Sequence, residues 1–320
     1  MARIGGVLRS DKNDVGLYFL ILDGGQGLAQ VFDALAQSGD HEEDLGAFSP
    51  WCHATIVGIV PTSTEEEPRE GVWMHELATQ LFPYPRSLTG DGVRQTLADL
   101  ARELPGLRIH EVPSGAQVLD WTIPDEWNIR GAFLEDPDGH RVIDWAESNI
   151  HVVSYSTPVD DNLSLAELEA HLHSDHEFPQ AIPYVTSYYH SSWGFCLTDE
   201  QRNRLPGGQY RAVIDSSLTP GSLTYAELLI PGETTDEVLI STYVCHPSLG
   251  NNELSGPVVA AALAYWVMSE PRKFSYRFVF APETIGAITY LDGNLEHLRA
   301  HVVAGINLTC IGDDGDWSYL

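Results

Sequence analysis

Two segments about thirty residues apart hold the residue types best suited to chemistry. The first runs Cys245-His246-Pro247-Ser248 and continues at once through Asn251-Asn252-Glu253-Leu254-Ser255-Gly256-Pro257; the second is Pro282-Glu283-Thr284-Ile285-Gly286. Imidazole is the commonest protein metal ligand. A carboxylate that faces an activated water is a suitable general base. Each residue also has an ordinary role open to it. Asn and Ser cap helices without any chemistry, and a glutamate in a first helical turn is favoured by the helix dipole. Ser255 fits the cap better than a nucleophile, because no GxSxG surrounds it. His246, Glu253 and Glu283 together favour a metal or acid–base site, with Tyr243 and Asn251 lining its pocket.

The elements that must position these residues are legible around them. Val238–Val244 and Tyr276–Ala281 are apolar runs that read as buried strands, and Val258–Met268 and Ile285–Leu298 read as the helices that follow, the second broken at Gly293. Leu223–Ile230 and Val302–Leu308 are further strands. Strands alternating with helices imply crossover connections and a mostly parallel mixed sheet flanked by helices, an α/β fold. Sites in such folds lie at the carboxyl ends of strands, where both segments fall. Upstream, His75–Leu81 and Val93–Leu104 have helical spacing and Leu107–Val112 reads as a strand. These stretches, 73–114 and 221–320, form the core.

Residues 115–220 change character and read as a β-rich inserted subdomain. Ala132–Glu135 and Arg141–Asp144 flank Asp136-Pro137-Asp138-Gly139, a strong hairpin signal. His151–Tyr155 and Tyr210–Ile214 read as short strands, Leu163–His173 and Thr198–Leu205 as helices. His171, His173 and His176 match no closed zinc spacing and read as surface histidines. Residues 1–72 form an N-terminal extension of unknown role, with Val15–Leu22 strand-like, Leu28–Gln37 helical and Thr62–Glu70 an acidic linker.

Composition narrows the partners. The 320 residues carry 46 acidic and 17 basic side chains, a net charge of −29. Such a surface opposes nucleic acid and anionic membranes, both polyanions. A high-salt cytoplasm and an ordinary acidic protein both accommodate this charge. Cys52, Cys196, Cys245 and Cys310 are widely spaced and read as buried free thiols in a reducing compartment. No secretory leader or membrane span is evident, so the chain is expected to be cytoplasmic, and the glycosylation patterns at Asn162 and Asn307 carry no weight.

Several rare strings occur in order: Tyr84-Pro85-Arg86-Ser87-Leu88-Thr89-Gly90, Phe133 to Ile143, Ile182-Pro183-Tyr184-Val185-Thr186-Ser187-Tyr188-Tyr189, Trp193-Gly194-Phe195-Cys196, Ser222-Leu223-Thr224-Tyr225, and the two opening segments. Through them, residues from about Met74 to Leu320 resemble the aminopeptidase-like family labelled "polysaccharide biosynthesis protein with aminopeptidase-like domain", which is related to zinc aminopeptidases with two co-catalytic metals. The resemblance implies an α/β core interrupted by a β-rich insert. It matches His246 to the first metal-binding histidine and Glu283 to the general base. Asn252 falls at a metal-bridging aspartate, Thr284 at a ligand glutamate and Thr309 at a ligand aspartate. Amide and hydroxyl oxygens are weaker zinc ligands than carboxylates. The resemblance therefore implies one zinc ion rather than two, held by His246, Asn252 and Glu253. The family supplies a further histidine well beyond Thr309, so the chain reads as a C-terminally truncated member.

The leading expectation is a zinc-dependent hydrolase of a peptide or amide bond, with Glu283 catalytic and Tyr243, Asn251, Thr284 and Asp313 around a small substrate. Asp313, in a cluster with Asp314 and Asp316, also suits a simple turn. The alternatives are a non-catalytic peptide- or carbohydrate-binding module on the same scaffold, and an inactive fragment.

Overall fold

The computed structural model describes residues 20–22 and 69–312. The core opens with strand β1 (Leu20–Leu22), helices α1 (Arg69–Leu81) and α2 (Asp91–Glu103), and strand β2 (Arg108–Pro113). Strands β3 (Gln117–Val118), β4 (Trp121–Thr122), β5 (Glu126–Glu135), β6 (Arg141–Asp144) and β7 (Val159–Ser164) follow. After them come helix α3 (Leu165–Leu168), strands β8 (Leu172–His173) and β9 (Phe195–Cys196), helix α4 (Asp199–Arg202) and strand β10 (Gln209–Thr219). The chain returns to the core with β11 (Ser222–Ile230), β12 (Glu237–Tyr243), a π-helical turn (Gly250–Leu254), α5 (Ser255–Met268), β13 (Ser275–Ala281), α6 (Ile285–His301) and β14 (Val302–Leu308).

The core sheet has the order β1-β14-β12-β13-β11-β2. Its first three pairings are parallel and the last two antiparallel, the expected mixed α/β sheet. Alternation along the strands sends side chains to two faces. Val238, Ile240, Phe278 and Phe280 pack with Leu77, Leu97, Leu100 and Ala261 of α1, α2 and α5. Leu239 and Val279 pack on the other face with Tyr290 and Leu298 of α6. Helix α5 lies close against the sheet at Gly256, where a Cβ would overlap the Leu308 carbonyl and the Thr242 hydroxyl. No helix among the described residues is long and apolar enough to cross a membrane.

Between β2 and β11 lies a second, antiparallel sheet of order β6-β5-β10-β7. The Asp136–Gly139 turn joins β5 to β6 as its sequence predicts: Gly139 takes φ 81° and Asp136 Oδ1 accepts from the Asp138 and His140 amides. Other local expectations give way to tertiary pairing. His151–Tyr155 is not a strand but the end of a 3-10 turn followed by single bridges, Val152 to Phe195 and Ser154 to Thr186. Leu163–His173 is not one helix. Val159–Ser164 pairs with β10 and Leu172–His173 with β9, which leaves one helical turn, Leu165–Leu168. Helix α6 runs unbroken through Gly293. From the N-terminal extension, Leu20–Leu22 adds a parallel strand beside β14; the predicted helix Leu28–Gln37 lies outside the described residues.

Glu126 joins the two sheets. Its carboxylate accepts from both terminal nitrogens of Arg94 on α2, from the Ser222 amide at 3.0 Å and from Asn128 Nδ2 at 2.9 Å. The Arg94 guanidinium holds this carboxyl well down, to about 2 from an ordinary 4.5. A depressed carboxylate stabilises the folded state above its unfolded pKa, and the benefit is lost as pH falls toward the folded value. Glu126→Gln is therefore expected to unfold at lower urea than the parent at pH 7, with the gap closing as pH falls from 4.5 toward 2. Urea titrations at pH 7 and pH 3 check this; an equal gap at both would assign the effect to packing.

Candidate metal centre

Strands β12, β13 and β14 run parallel, and the loops at their carboxyl ends meet. Five described non-glycine residues have positive φ; three of them, Ser248 (31°), Thr284 (59°) and Cys310 (50°), fall in these loops. Such backbone strain gathers where surrounding structure fixes a functional geometry.

His246 sits just past β12 and is buried. Its backbone amide donates to Glu253 Oε2 at 3.0 Å, and its Nδ1 lies 2.7 Å from Asn252 Oδ1 and 3.5 Å from Glu253 Oε2. Its Nε2 lies 3.2 Å from Glu283 Oε2. A ring nitrogen lone pair and a carboxylate both only accept, so this contact requires either a hydrogen on Nε2 or a metal between the two. Burial opposes charge on the ring, but Cys245, Glu283 and Glu253 outweigh it and hold the imidazole up at about 11. The Glu283 carboxyl is held below the ordinary carboxylate range by its contact with His246. Glu283 and Asn252 are exposed, whereas His246 and Glu253 are buried.

Two contributors escape sequence reasoning. Cys245, expected to be an inert thiol, accepts from the Glu283 amide at 3.2 Å. It offers its sulfur together with donor atoms of His246 and Glu253, all within 4.8 Å of one another. Arg86, from the Tyr84-Pro85-Arg86 string after α1, has no exposed surface. Its Nε donates to the His246 carbonyl at 2.9 Å and lies 3.2 Å from Glu253 Oε1, while Nη1 donates to the Leu81 carbonyl at 2.6 Å and to Thr96 Oγ1 at 3.2 Å. Burial pushes the Glu253 carboxyl up, opposed by Arg86 and His246. The adjacency of Cys245 to His246 was a usable signal for the thiol; nothing local marks Arg86.

The remaining expected residues are placed as follows. Asn252 and Tyr243 adjoin the imidazole, Tyr243 with its ring centroid 5.1 Å away. Asn251 is turned to the β14 loop, where its Oδ1 accepts the Gly312 amide at 2.7 Å. Thr284 is exposed at the start of α6, and Asp313, Asp314 and Asp316 lie outside the described residues. Tyr184 of the insert, unassigned from sequence, closes another side with its ring 5.0 Å from the imidazole. The insert histidines do not converge: His171 stacks on Trp193 at 3.7 Å and His176 pairs with Asp199 at 2.7 Å.

The donor chemistry, one thiol, one imidazole and one carboxylate, fits a single zinc-like ion.

Comparison with known proteins places the fold among the aminopeptidase-like α/β proteins. The structure of a zinc aminopeptidase from Bacillus subtilis matches 77% of this chain and 70% of its own, with a TM-score of 0.51 at 12% identity, a likeness of fold alone. Residues 75–320 match the family described as a domain of unknown function, DUF4910, and the chain belongs to that family. A curated relative from Clostridium acetobutylicum, named as a polysaccharide biosynthesis protein with aminopeptidase-like domain, is 46% identical over 246 residues, covering 77% of this chain and 56% of the relative. A crystal structure from the same organism, described as that of a candidate peptidase, is 46% identical with a TM-score of 0.75, covering 77% of this chain and 58% of that one. The chain thus spans little more than half the length of these relatives. The resemblance read from the sequence is borne out.

Removing one partner of a buried ion pair strands the other charge and costs about 3–5 kcal/mol. Arg86→Met is expected to destabilise the chain by about that much, and the double change with Glu253→Leu to recover most of it. Urea unfolding of the three proteins checks this; a double variant no better than the single would show that other Arg86 bonds dominate.

Proposed function

We propose that the chain is a metal-dependent hydrolase of the aminopeptidase type, acting on a peptide or amide bond of a small substrate. The observation that carries this reading is the convergence of Cys245, His246 and Glu253 donor atoms within 4.8 Å, with exposed Glu283 at 3.2 Å from the imidazole. Cys245, His246 and Glu253 would hold one zinc ion. When bound, that ion supplies Lewis-acid polarisation of the scissile carbonyl. Glu283 Oε2 takes a proton from the attacking water and returns it to the leaving amine. Tyr243 and Thr284 would line the substrate space beside Glu283 in this reading, while Asn251, turned to the loop after β14, would hold that loop in place. The net charge of −29 disfavours nucleic acid and anionic membrane as partners. The described cysteines are unpaired, which supports a reducing cytoplasm.

One observation favours a second reading, a binding module without chemistry: the Arg86–Glu253 pair supplies Glu253 with a permanent cation. Metal content separates the two. Protein purified in high salt without chelator is expected to carry near-stoichiometric zinc by elemental analysis, lost in His246→Ala. Glu283→Gln is expected to retain the zinc and lose hydrolysis of aminoacyl substrates by about a hundredfold or more, the scale of general-base catalysis. Folded protein without metal would favour the binding module, and full activity in Glu283→Gln would remove Glu283 from the chemistry.

A further inference from the structure

Asn252 stands where a metal-bridging carboxylate is expected, yet its side-chain oxygen is already engaged twice. It accepts from the Tyr243 hydroxyl at 3.2 Å, and it lies 2.7 Å from His246 Nδ1. Tyr243 in turn accepts from Thr309 Oγ1 at 2.7 Å. The hydrogens therefore run in one direction, from Thr309 to Tyr243 to Asn252. An amide oxygen only accepts, and it has two lone pairs. One is used by Tyr243, so the other must receive a hydrogen carried by His246 Nδ1. Both lone pairs are then occupied, and none is left for an ion.

We propose that Asn252 is a positioning residue and not a ligand: with Tyr243 and Thr309 it keeps the hydrogen on His246 Nδ1 and so presents Nε2, the nitrogen 3.2 Å from Glu283 Oε2, to the cation. The inference rests on the metal-site reading above and deepens it by assigning which nitrogen of His246 faces the cation. The three residues come from the end of β12, the π-helical turn and the loop after β14, so the hydrogen-bonded chain also aligns these loops on one imidazole. Outer partners of this kind fix the orientation of a ligating histidine, and their loss costs about 10–100-fold in metal affinity.

The test combines zinc affinity, by competition with a chromophoric chelator, with the Nδ1–H resonance of His246 in metal-free, 15N-histidine-labelled protein, assigned by its loss in His246→Gln. Asn252 is exposed, so its substitution leaves the core intact. Asn252→Leu is expected to bind zinc about 10–100-fold more weakly and to lose the protected Nδ1–H signal. Asn252→Asp, which keeps an acceptor, is expected to retain the signal, and Thr309→Val to shift it while weakening zinc by a smaller factor. Asn252→Leu that loses zinc while the signal is unmoved would make Asn252 a direct ligand and overturn the proposal. Unchanged affinity and an unchanged signal would overturn it as well. If the parent binds no zinc, the metal reading fails separately, and the Nδ1–H signal alone decides whether Asn252 positions His246.

Discussion

A guanidinium with no exposed surface must find its compensation where it sits, because desolvating a bare charge costs far more than a folded domain can spare. Arg86 finds it in Glu253 and in the carbonyls of Leu81 and His246. These contacts join the connection after α1, the end of β12 and the π-helical turn before α5. Glu253 then uses its other oxygen to hold the His246 amide. The loop that carries the imidazole is thus fixed from below by a charge pair before any ligand arrives. Ordered supports of this kind set a side chain to the tolerance that chemistry needs.

Around that pair, the candidate site is assembled from both parts of the chain. The core supplies His246, Glu283 and Tyr243 from strand ends. The insert supplies Tyr184, whose hydroxyl is 2.6 Å from that of Tyr188. The insert is therefore one wall of the candidate site, and its attachment through Glu126 and Arg94 matters to the site as well as to the fold.

Much of this was legible because local signals agreed. β12, β13 and β14 are apolar runs bounded by breakers, and the strand ends they define put His246 and Glu283 in one place. The misreadings share a cause. Leucine spacing in 163–173 suggests a helix, but ladder bonds to β10 and β9 claim its ends. Glycine costs a helix only about 1 kcal/mol relative to alanine, too little to break α6 at Gly293. Arg86 was beyond reach for another reason. Its partner carbonyl is 160 residues away, and no periodicity marks a residue whose purpose is set by a charge that distant. Cys245 was visible but undervalued, since a single cysteine outside a paired spacing carries little information until its neighbours in space are known.

The placement of the insert bears on how the chain folds. β2 and β11 are antiparallel neighbours, Pro113 opposite Ser222, so residues 114–221 occupy the place of a hairpin turn. Closing an unstructured loop of about a hundred residues carries a length-dependent entropy cost of about 4 kcal/mol. The insert removes most of that cost if it forms first. Its own ladder sets Glu126 opposite Thr219, and the Ser114 amide donates to the Gly221 carbonyl at 2.9 Å. Once that ladder is made, only residues 114–125 separate β2 from it and only residues 220–221 separate it from β11. On entropy grounds this topology favours an order in which the outer sheet forms before β2 and β11 pair, so that the central sheet closes over a short connection.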